Sequence, residues 1–409
     1  ISKAKAIYDL KDQAIEKLKQ EEQYDLYQNL ELPVTYILAQ MEYVGAKIDV
    51  DVLKKLEQNF DQQIKEIEED IYMLAGEKFN IASPKQLGDI LFHKLGLPNG
   101  KKTKSGYSTS QDILEKIVDL HPIVPLIQQY RMLTKLSSTY VKGLQEQVFP
   151  DGKIHTIFNQ ALTQTGRLSS IDPNLQNIPV RQEEGKLIRQ AFVASHDYLI
   201  SFDYSQIELR ILAHLAQVKS LIDAFHQNKD IHTHTAALVF KVKDEDVTPQ
   251  MRRQAKAVNF GIIYGMGEFR LSKQIGVTLS EAKEFIRRYF EEYPEIQQYM
   301  HRVVEDCKHN GYVSTVLNRK RYIPTINDKN FMVREQAKRF AMNSPIQGSG
   351  ADILKLAMIQ VDRLMKENKM KSQMILQVHD ELIFDVYKEE LDEMMTIIKS
   401  AMENAFQME

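Results

Sequence analysis

Residues 374–386 read MILQVHDELIFDV, two apolar runs of strand length closing around three consecutive ionisable residues, His379, Asp380 and Glu381. Short apolar runs meeting at a polar break read as the two buried strands of a hairpin. Burying charge without a partner is expensive. A chain that sets a carboxylate pair at the join of two core strands must therefore bring something to share the site, and whatever fold it adopts has to deliver that partner.

The length of 409 residues exceeds what one small core serves, so two or three subdomains are expected. Apolar residues make up 43% and charged residues 27%, a globular balance rather than a disordered one. No run of about 18 apolar residues is present, so the sequence predicts no membrane span. The opening ISKAKAIYDL has neither a Met nor the apolar core of a signal peptide and reads as the start of an excised piece. With Cys307 the only cysteine, no internal disulfide can form, which suits a reducing, cytoplasmic setting. The net charge of −3, from 53 Lys plus Arg against 56 Asp plus Glu, excludes a protein coated in positive charge. Nucleic acid is still admissible, because a local basic stripe is enough to bind it.

Along the chain, Leu53, Leu56, Phe60, Ile64, Ile67, Ile71 and Leu74 recur at steps of three and four, which predicts one amphipathic helix over 49–75, closed by Gly76. Ser83 as N-cap, Pro84 at the first helical position and Gln86 as partner of a capping box predict the next helix. A second long helix is expected over about 123–144. Between the two, NGKKTKSGYSTS reads either as the basic tip of a helical lobe or as a solvated turn. After about 150 the composition turns loop-like (TQTGRLSSIDPNLQNIPVR), and DYLISFDYSQIELRILAHLAQ passes from a strand into a helix. Residues 216–309 read as mostly helical. A hairpin-like pair in GYVSTVLNRKRYIP, a helix over about 331–366, the opening hairpin and a last helix complete the chain.

Asp203 ends one apolar strand much as Asp380 ends another. Two strand-end carboxylates with Glu381 beside them form a hard-oxygen set suited to Mg²⁺, and two such ions serve phosphoryl transfer. Each Asp alone reads as readily as a strand terminator, and spacing does not establish that the two meet. In TPQMRRQAKAVNFGIIYGMG, Thr248 caps a helix on which Arg252, Lys256, Phe260 and Tyr264 fall four apart. Cations near a helix N-terminus oppose its dipole, a conflict an anion would relieve. Two cations followed by an aromatic ring fit a nucleoside triphosphate. A solvated basic face with Phe260 in the core fits equally. Arg339, Asn343 and Gln347 repeat the spacing of four, although Pro345 should kink or break that helix. Long polar donors in a row suit minor-groove acceptors, or simply solvent. His232 and His234, two apart with no Cys nearby, do not make a zinc site. NRKRY (318–322) reads as a basic turn, holding a backbone phosphate or solvated.

DYSQIELR (203–210), RRQAKAVNFGIIYG (252–265) and QVHDEL (377–382) resemble the three polymerase motifs of family A DNA polymerases, and TGRLSS, DPNLQNIPVR and PIQGSGAD match in the same order. The resemblance covers nearly the whole chain from about residue 30. It implies a predominantly helical α+β right-hand fold: a thumb at about 31–150, a palm with an antiparallel sheet at about 151–215 and 310–409, and fingers at about 216–309. Residues 1–30 would be a residual linker or helix from an upstream exonuclease-type domain. It implies that Asp203, Asp380 and the Tyr204 carbonyl hold two Mg²⁺ ions, with Glu381 an accessory acid and Lys256 also catalytic. Arg252, Lys256 and His232 would hold the incoming dNTP, with Phe260 on its sugar and base, Tyr264 against the nascent pair and Gln206 nearby. Glu208 would block a ribose 2′-hydroxyl. Arg167, Asn177, Arg181, Arg339, Asn343, Gln347 and His379 would contact the primed DNA template. The enzyme would be a monomeric DNA-directed DNA polymerase of replication and repair, without proofreading from this chain. Its palm sheet would lack a final strand, leaving an exposed edge. The rivals are a single-subunit RNA polymerase, against which Glu208 and Phe260 argue, and a silent DNA-binding module, against which both aspartates with Arg252 and Lys256 argue. A metal-dependent nuclease leaves the Arg252–Lys256–Phe260 face without a purpose.

Overall fold

The structure is a computed structural model that describes residues 2–104, 106–179 and 183–408, with only the backbone of Ser2. The chain divides into two compact units, one of residues 45–157 and 170–195, the other of residues 1–44, 158–169 and 196–409.

The smaller unit is built on the helix Val50–Ala75. Asp49 caps it by accepting from the amides of Asp51 and Val52, and Gly76 ends it with φ +73°. Leu53, Leu56, Phe60, Ile67 and Ile71 are buried along one stripe and face the helix Ile123–Leu136. That second helix continues through a π-helical turn, Ser137–Lys142, into Gly143–Glu146, the length the sequence predicts. The Tyr140 hydroxyl in this turn donates to the Asn177 carbonyl at 2.7 Å. Ser83 caps Pro84–Gly88 as expected. The reciprocal half of the capping box does not form: Gln86 Oε1 accepts from the Asn80 amide instead, because the Ser83 amide is already satisfied by the Asn80 carbonyl. The basic loop holds a minimal hairpin, Lys102–Thr103 with Gly106–Tyr107.

In the larger unit a three-stranded antiparallel sheet has the order Gln373–Val378, Glu381–Val386, Tyr198–Asp203. Leu382, Phe384 and Val386 of the central strand are fully buried, and Phe384 meets Phe202 edge to face at 6.2 Å. The helices Leu391–Glu403 and Ile207–Ala216 both pack on the 37-residue helix Phe331–Glu367. That helix runs unbroken through Pro345, against the kink expected there. Proline leaves the Ala341 carbonyl without its usual donor. The neighbouring turn is tied by side chains: Ser344 Oγ donates to the Phe340 carbonyl and accepts from Arg321 Nη1 at 2.7 Å. The helices Ile231–Phe240 and Pro249–Ile263 pack on each other farther along the same unit. Among the described residues no helix is long and apolar enough to cross a membrane.

Candidate active site

The hairpin turn is His379–Asp380, with Val378 opposite Glu381. His379 is exposed and left-handed, φ +55°, a conformation that closes so short a turn. The neighbouring strand ends in register with it: Asp203 lies opposite Glu381, and the Tyr204 amide donates to the Asp380 carbonyl at 3.2 Å. The two strand-end aspartates therefore meet, which spacing alone did not establish. Burial raises the Asp203 carboxyl above the ordinary range, and the charges of Asp380 and Glu381 raise it further. Ser201 Oγ donates to Glu381, and Tyr204 is pinned from behind by its hydroxyl, which donates to the Met402 carbonyl at 2.6 Å.

Arg167 is the cation at this cluster. Its Nη2 lies 2.8 Å from Glu208 Oε1 and 3.5 Å from Asp380 Oδ1. Glu208 is 5% exposed, and its carboxyl is raised by burial, which outweighs Arg167 and the hydrogen bond from Tyr264. That bond, Tyr264 Oη to Glu208 Oε2 at 2.8 Å, ties the end of the helix Pro249–Ile263 to the helix Ile207–Ala216 that follows the strand Tyr198–Asp203. Burial and the adjacent Glu208 raise the Tyr264 hydroxyl in turn, so it is a firm donor.

The helix Pro249–Ile263 begins where the sequence predicts, with Thr248 Oγ1 accepting from the Met251 amide. Arg252 and Lys256 stand exposed on it and Phe260 is half-buried. The anion that Arg252 calls for is present within the chain: Asp230 Oδ2 pairs with its Nη2 at 2.7 Å, while Asp230 Oδ1 caps the helix Ile231–Phe240. His232, the second residue of that helix, is buried, with its ring 5.8 Å from Phe260. The Asn259 amide nitrogen donates to His232 Nδ1 at 3.1 Å, which leaves the ring proton on Nε2. Burial lowers its pKa to about 4; Asp230 works against that shift, and Lys256 and Arg252 add to it. His232 is thus a neutral donor above that pH.

The family model for DNA polymerase family A matches residues 50–409. The chain belongs to DNA polymerase family A. It is 53% identical over 406 residues to DNA polymerase I of Bacillus subtilis (strain 168), covering 98% of this chain and 46% of that protein. It is 52% identical over 408 residues to DNA polymerase I of Geobacillus stearothermophilus, covering 99% and 47%. Among solved structures it is similar to the POL domain of Pol1 from M. smegmatis in complex with DNA primer-template and dNTP: TM-score 0.94, 42% identity, 98% of this chain and 72% of that one. The chain spans about half the length of the curated relatives it matches.

In this family A chain Arg339, Asn343 and Gln347 all lie on the helix Phe331–Glu367, Arg339 exposed and the other two half-buried. Arg339 packs against Gly265, the residue after Tyr264: a β-carbon on Gly265 would come within 2.9 Å of Arg339 Cγ. Asn343 Nδ2 and Gln206 Oε1 are sealed from solvent without a partner in the structure. Gln206 sits at the start of the helix Ile207–Ala216 with φ +56°. Asn177 is exposed in the smaller unit, and Arg181 lies outside the described residues. Two residues the sequence did not single out belong here: Asp230, as the partner of Arg252, and Gly265, as the seat of Arg339. The basic residues of NRKRY find partners within the chain. Arg319 pairs with Glu31 and Asp352, Lys320 with Glu22, and Arg321 bonds Ser344 and Gln164.

Proposed function

We propose that this chain is a template-directed DNA polymerase that adds dNTPs to a primer 3′-hydroxyl. The observation that carries the reading is the meeting of Asp203, Asp380 and Glu381 at one sheet end, joined through Arg167, Glu208 and Tyr264 to a helix bearing Arg252 and Lys256. Kinship to proteins named DNA polymerase I supports it. In the right-hand terms of the family, residues 31–150 act as thumb, 151–215 and 310–409 as palm, and 216–309 as fingers. The enzyme works as a cytoplasmic monomer on primed DNA.

The donor set fits two Mg²⁺ ions. Among the described residues no three His, Cys, Asp or Glu side chains form a closed metal cage. That is the arrangement Mg²⁺ favours when one or two carboxylates share it with substrate phosphates. Asp203 and Asp380 would hold the ions with the Tyr204 carbonyl; burial first, and the charges of Asp380 and Glu381 second, raise the Asp203 carboxyl, a setting a cation would relieve. Bound there, the metal would supply Lewis-acid activation of the attacking oxygen and stabilisation of the leaving one.

The chain's own residues bind and orient. Lys256 and Arg252 take the triphosphate, Arg252 exchanging Asp230 for phosphate oxygens. His232 donates from Nε2, and Phe260 offers its ring to sugar and base. Glu208, held by Arg167 and Tyr264, walls off the space of a 2′-hydroxyl. Arg339, Asn343, Gln347 and His379, with Asn177 and Arg181, follow the DNA. The primer 3′-hydroxyl gives its proton to solvent as its oxygen bonds the α-phosphorus, the α–β bridge breaks and pyrophosphate leaves, so rate enhancement comes from positioning and electrostatics. Primer extension with Mg²⁺, dNTPs against rNTPs, alongside Asp203→Ala, tests the reading. Extension with dNTPs alone, lost in the variant, upholds it. Extension with rNTPs would make it an RNA polymerase, and binding of primed DNA without extension by the wild type would make it a silent module.

A further inference from the structure

Behind the site lies a cluster of four charged side chains that the proposed chemistry does not use. Arg319 Nε and Nη2 reach Asp352 Oδ1 at 2.8 and 2.7 Å, and its Nη2 also bonds Glu31 Oε1. Lys355 Nζ bonds the same Glu31 oxygen at 2.7 Å, and Thr315 Oγ1 donates to Asp352 Oδ2 at 2.6 Å. Asp352 is 0% and Lys355 1% exposed. Two cations meet two carboxylates, so the cluster is closed and stiff, as a fully satisfied buried network should be.

The turn 163–167 is seated on this cluster. Gly166 has φ +81°, and a β-carbon there would fall 2.6 Å from Arg319 Nε and 2.9 Å from its Cζ. Only glycine fits both the backbone conformation and the flat guanidinium beneath it. On the other side of the turn, a β-carbon on Gly348 would meet the Thr165 carbonyl at 3.0 Å and Thr315 Cγ2 at 2.6 Å. Thr163 Oγ1 closes the turn by donating to the Arg167 carbonyl at 2.6 Å. The next side chain is Arg167, which spans Glu208 and Asp380. The path from the cluster to the reacting end is one residue long.

We infer that Arg319 is a positioning residue: anchored by Glu31 and Asp352, its guanidinium is the bed on which Gly166 lies, and it fixes where Arg167 presents its own guanidinium to Glu208 and Asp380. The inference deepens the polymerase reading and rests on it. Glu31 belongs to the N-terminal segment, and the same basic turn grips that segment again: Gln23 Nε2 donates to the Asn318 carbonyl at 2.6 Å and Lys320 Nζ to the Glu21 carbonyl at 2.7 Å. The basic turn is therefore a clamp between the N-terminal segment and the site.

The test is a double-mutant cycle in primer extension with the full chain: wild type, Arg319→Lys, Arg167→Ala and the pair, with folding checked by circular dichroism and melting. Lysine keeps the charge but loses the fork that spans Glu31 and Asp352 and the plane under Gly166. Arg319→Lys is expected to lower kcat/KM for dNTP roughly ten- to hundredfold, and to add little once Arg167 is already alanine. Full activity in a folded Arg319→Lys, or a loss that multiplies with that of Arg167→Ala, would overturn the inference while leaving the polymerase reading intact. No extension by the wild type would sink the polymerase reading first and this one with it. Should Arg319→Lys not fold, Glu31→Gln, which keeps shape and removes only charge, runs the same cycle under the same criteria.

Discussion

Two dense groups of charge sit in the larger unit and are handled in opposite ways. At the sheet end, Asp203, Asp380 and Glu381 gather, Arg167 reaches Asp380 and Glu208, and Asp203 is pushed toward its protonated form by burial and by its acidic neighbours. In the cluster behind it, Glu31 and Asp352 meet Arg319 and Lys355 one for one. There burial raises the Glu31 carboxyl, but Lys355 and Arg319 together outweigh it and hold the group below its ordinary value, while at Asp352 burial outweighs Arg319 and the carboxyl is raised. The closed group is scaffold and the open group is waiting for cations. Charge imbalance, rather than charge density, separates a site from a strut.

The largest expected effect is on the open group. Asp203→Ala should lower primer extension at least about a hundredfold, the scale of losing one electrostatic contact to the transition state. The contrast predicts that stability moves the other way. Asp203 has its folded pKa raised above the unfolded 3.8, so its stabilising contribution is complete only below that value and is lost as pH rises through the folded pKa. At pH 7 Asp203→Asn should therefore melt higher than wild type in EDTA. Mg²⁺ should raise the wild-type Tm and reduce that gap. A lower-melting Asp203→Asn would mean the carboxylate is already compensated, and the comparison would collapse.

Next comes the closed group. Lys355→Met removes one cation from a network in which Asp352 is 0% exposed, and breaking such a buried network costs about 3–5 kcal/mol. Urea unfolding of the larger unit would read it. The pH signature is opposite to that of Asp203: Glu31 is depressed below 4.5, so its contribution is present above that value and is lost as pH falls through the folded pKa. Glu31→Gln should thus melt lower than wild type at pH 7, and the gap should close on acidification. If both variants shifted Tm in the same direction at pH 7, the distinction between open and closed groups would be wrong.

What could be read from the sequence follows the same line. Helix ends were legible because caps are local: Asp49, Thr248 and Gly76 act on amides or carbonyls within four residues. Strand ends with acids were legible too, and the motifs tied them to a family. Partners were not. Glu381 faces Asp203 across 178 positions only because the strands pair in one register. Arg319 finds Glu31 across 288 positions, so NRKRY looked like a solvated or phosphate-binding turn when its carboxylates come from elsewhere in the chain. Pro345 misled for a related reason: the turn around it is tied by Ser344 to the Phe340 carbonyl and by Arg321, brought in from a hairpin.

Tyr264→Phe is a smaller probe of the boundary between the two cases. It leaves buried Glu208 with Arg167 but without its second partner, at a cost of about 1–2 kcal/mol. With that hydrogen bond gone, the Glu208 carboxyl should rise further. An unchanged Glu208 titration, followed by carboxyl NMR, would mean that burial and Arg167 set its charge without Tyr264.

The smallest effect separates burial from pairing. Asp230 and Arg252 are matched one to one, like the closed group, yet their side chains are 41% and 44% exposed. Exposed pairs contribute about 0–1 kcal/mol, and asparagine caps a helix as well as aspartate does. Asp230→Asn should then keep the cap of Ile231–Phe240 and change stability by less than about 1 kcal/mol, against the several expected for Lys355→Met. Since the variant also frees Arg252 from its carboxylate, tighter dNTP binding should accompany the small stability change. A loss as large as that of Lys355→Met would show that matching alone, buried or not, makes a strut of a charge pair.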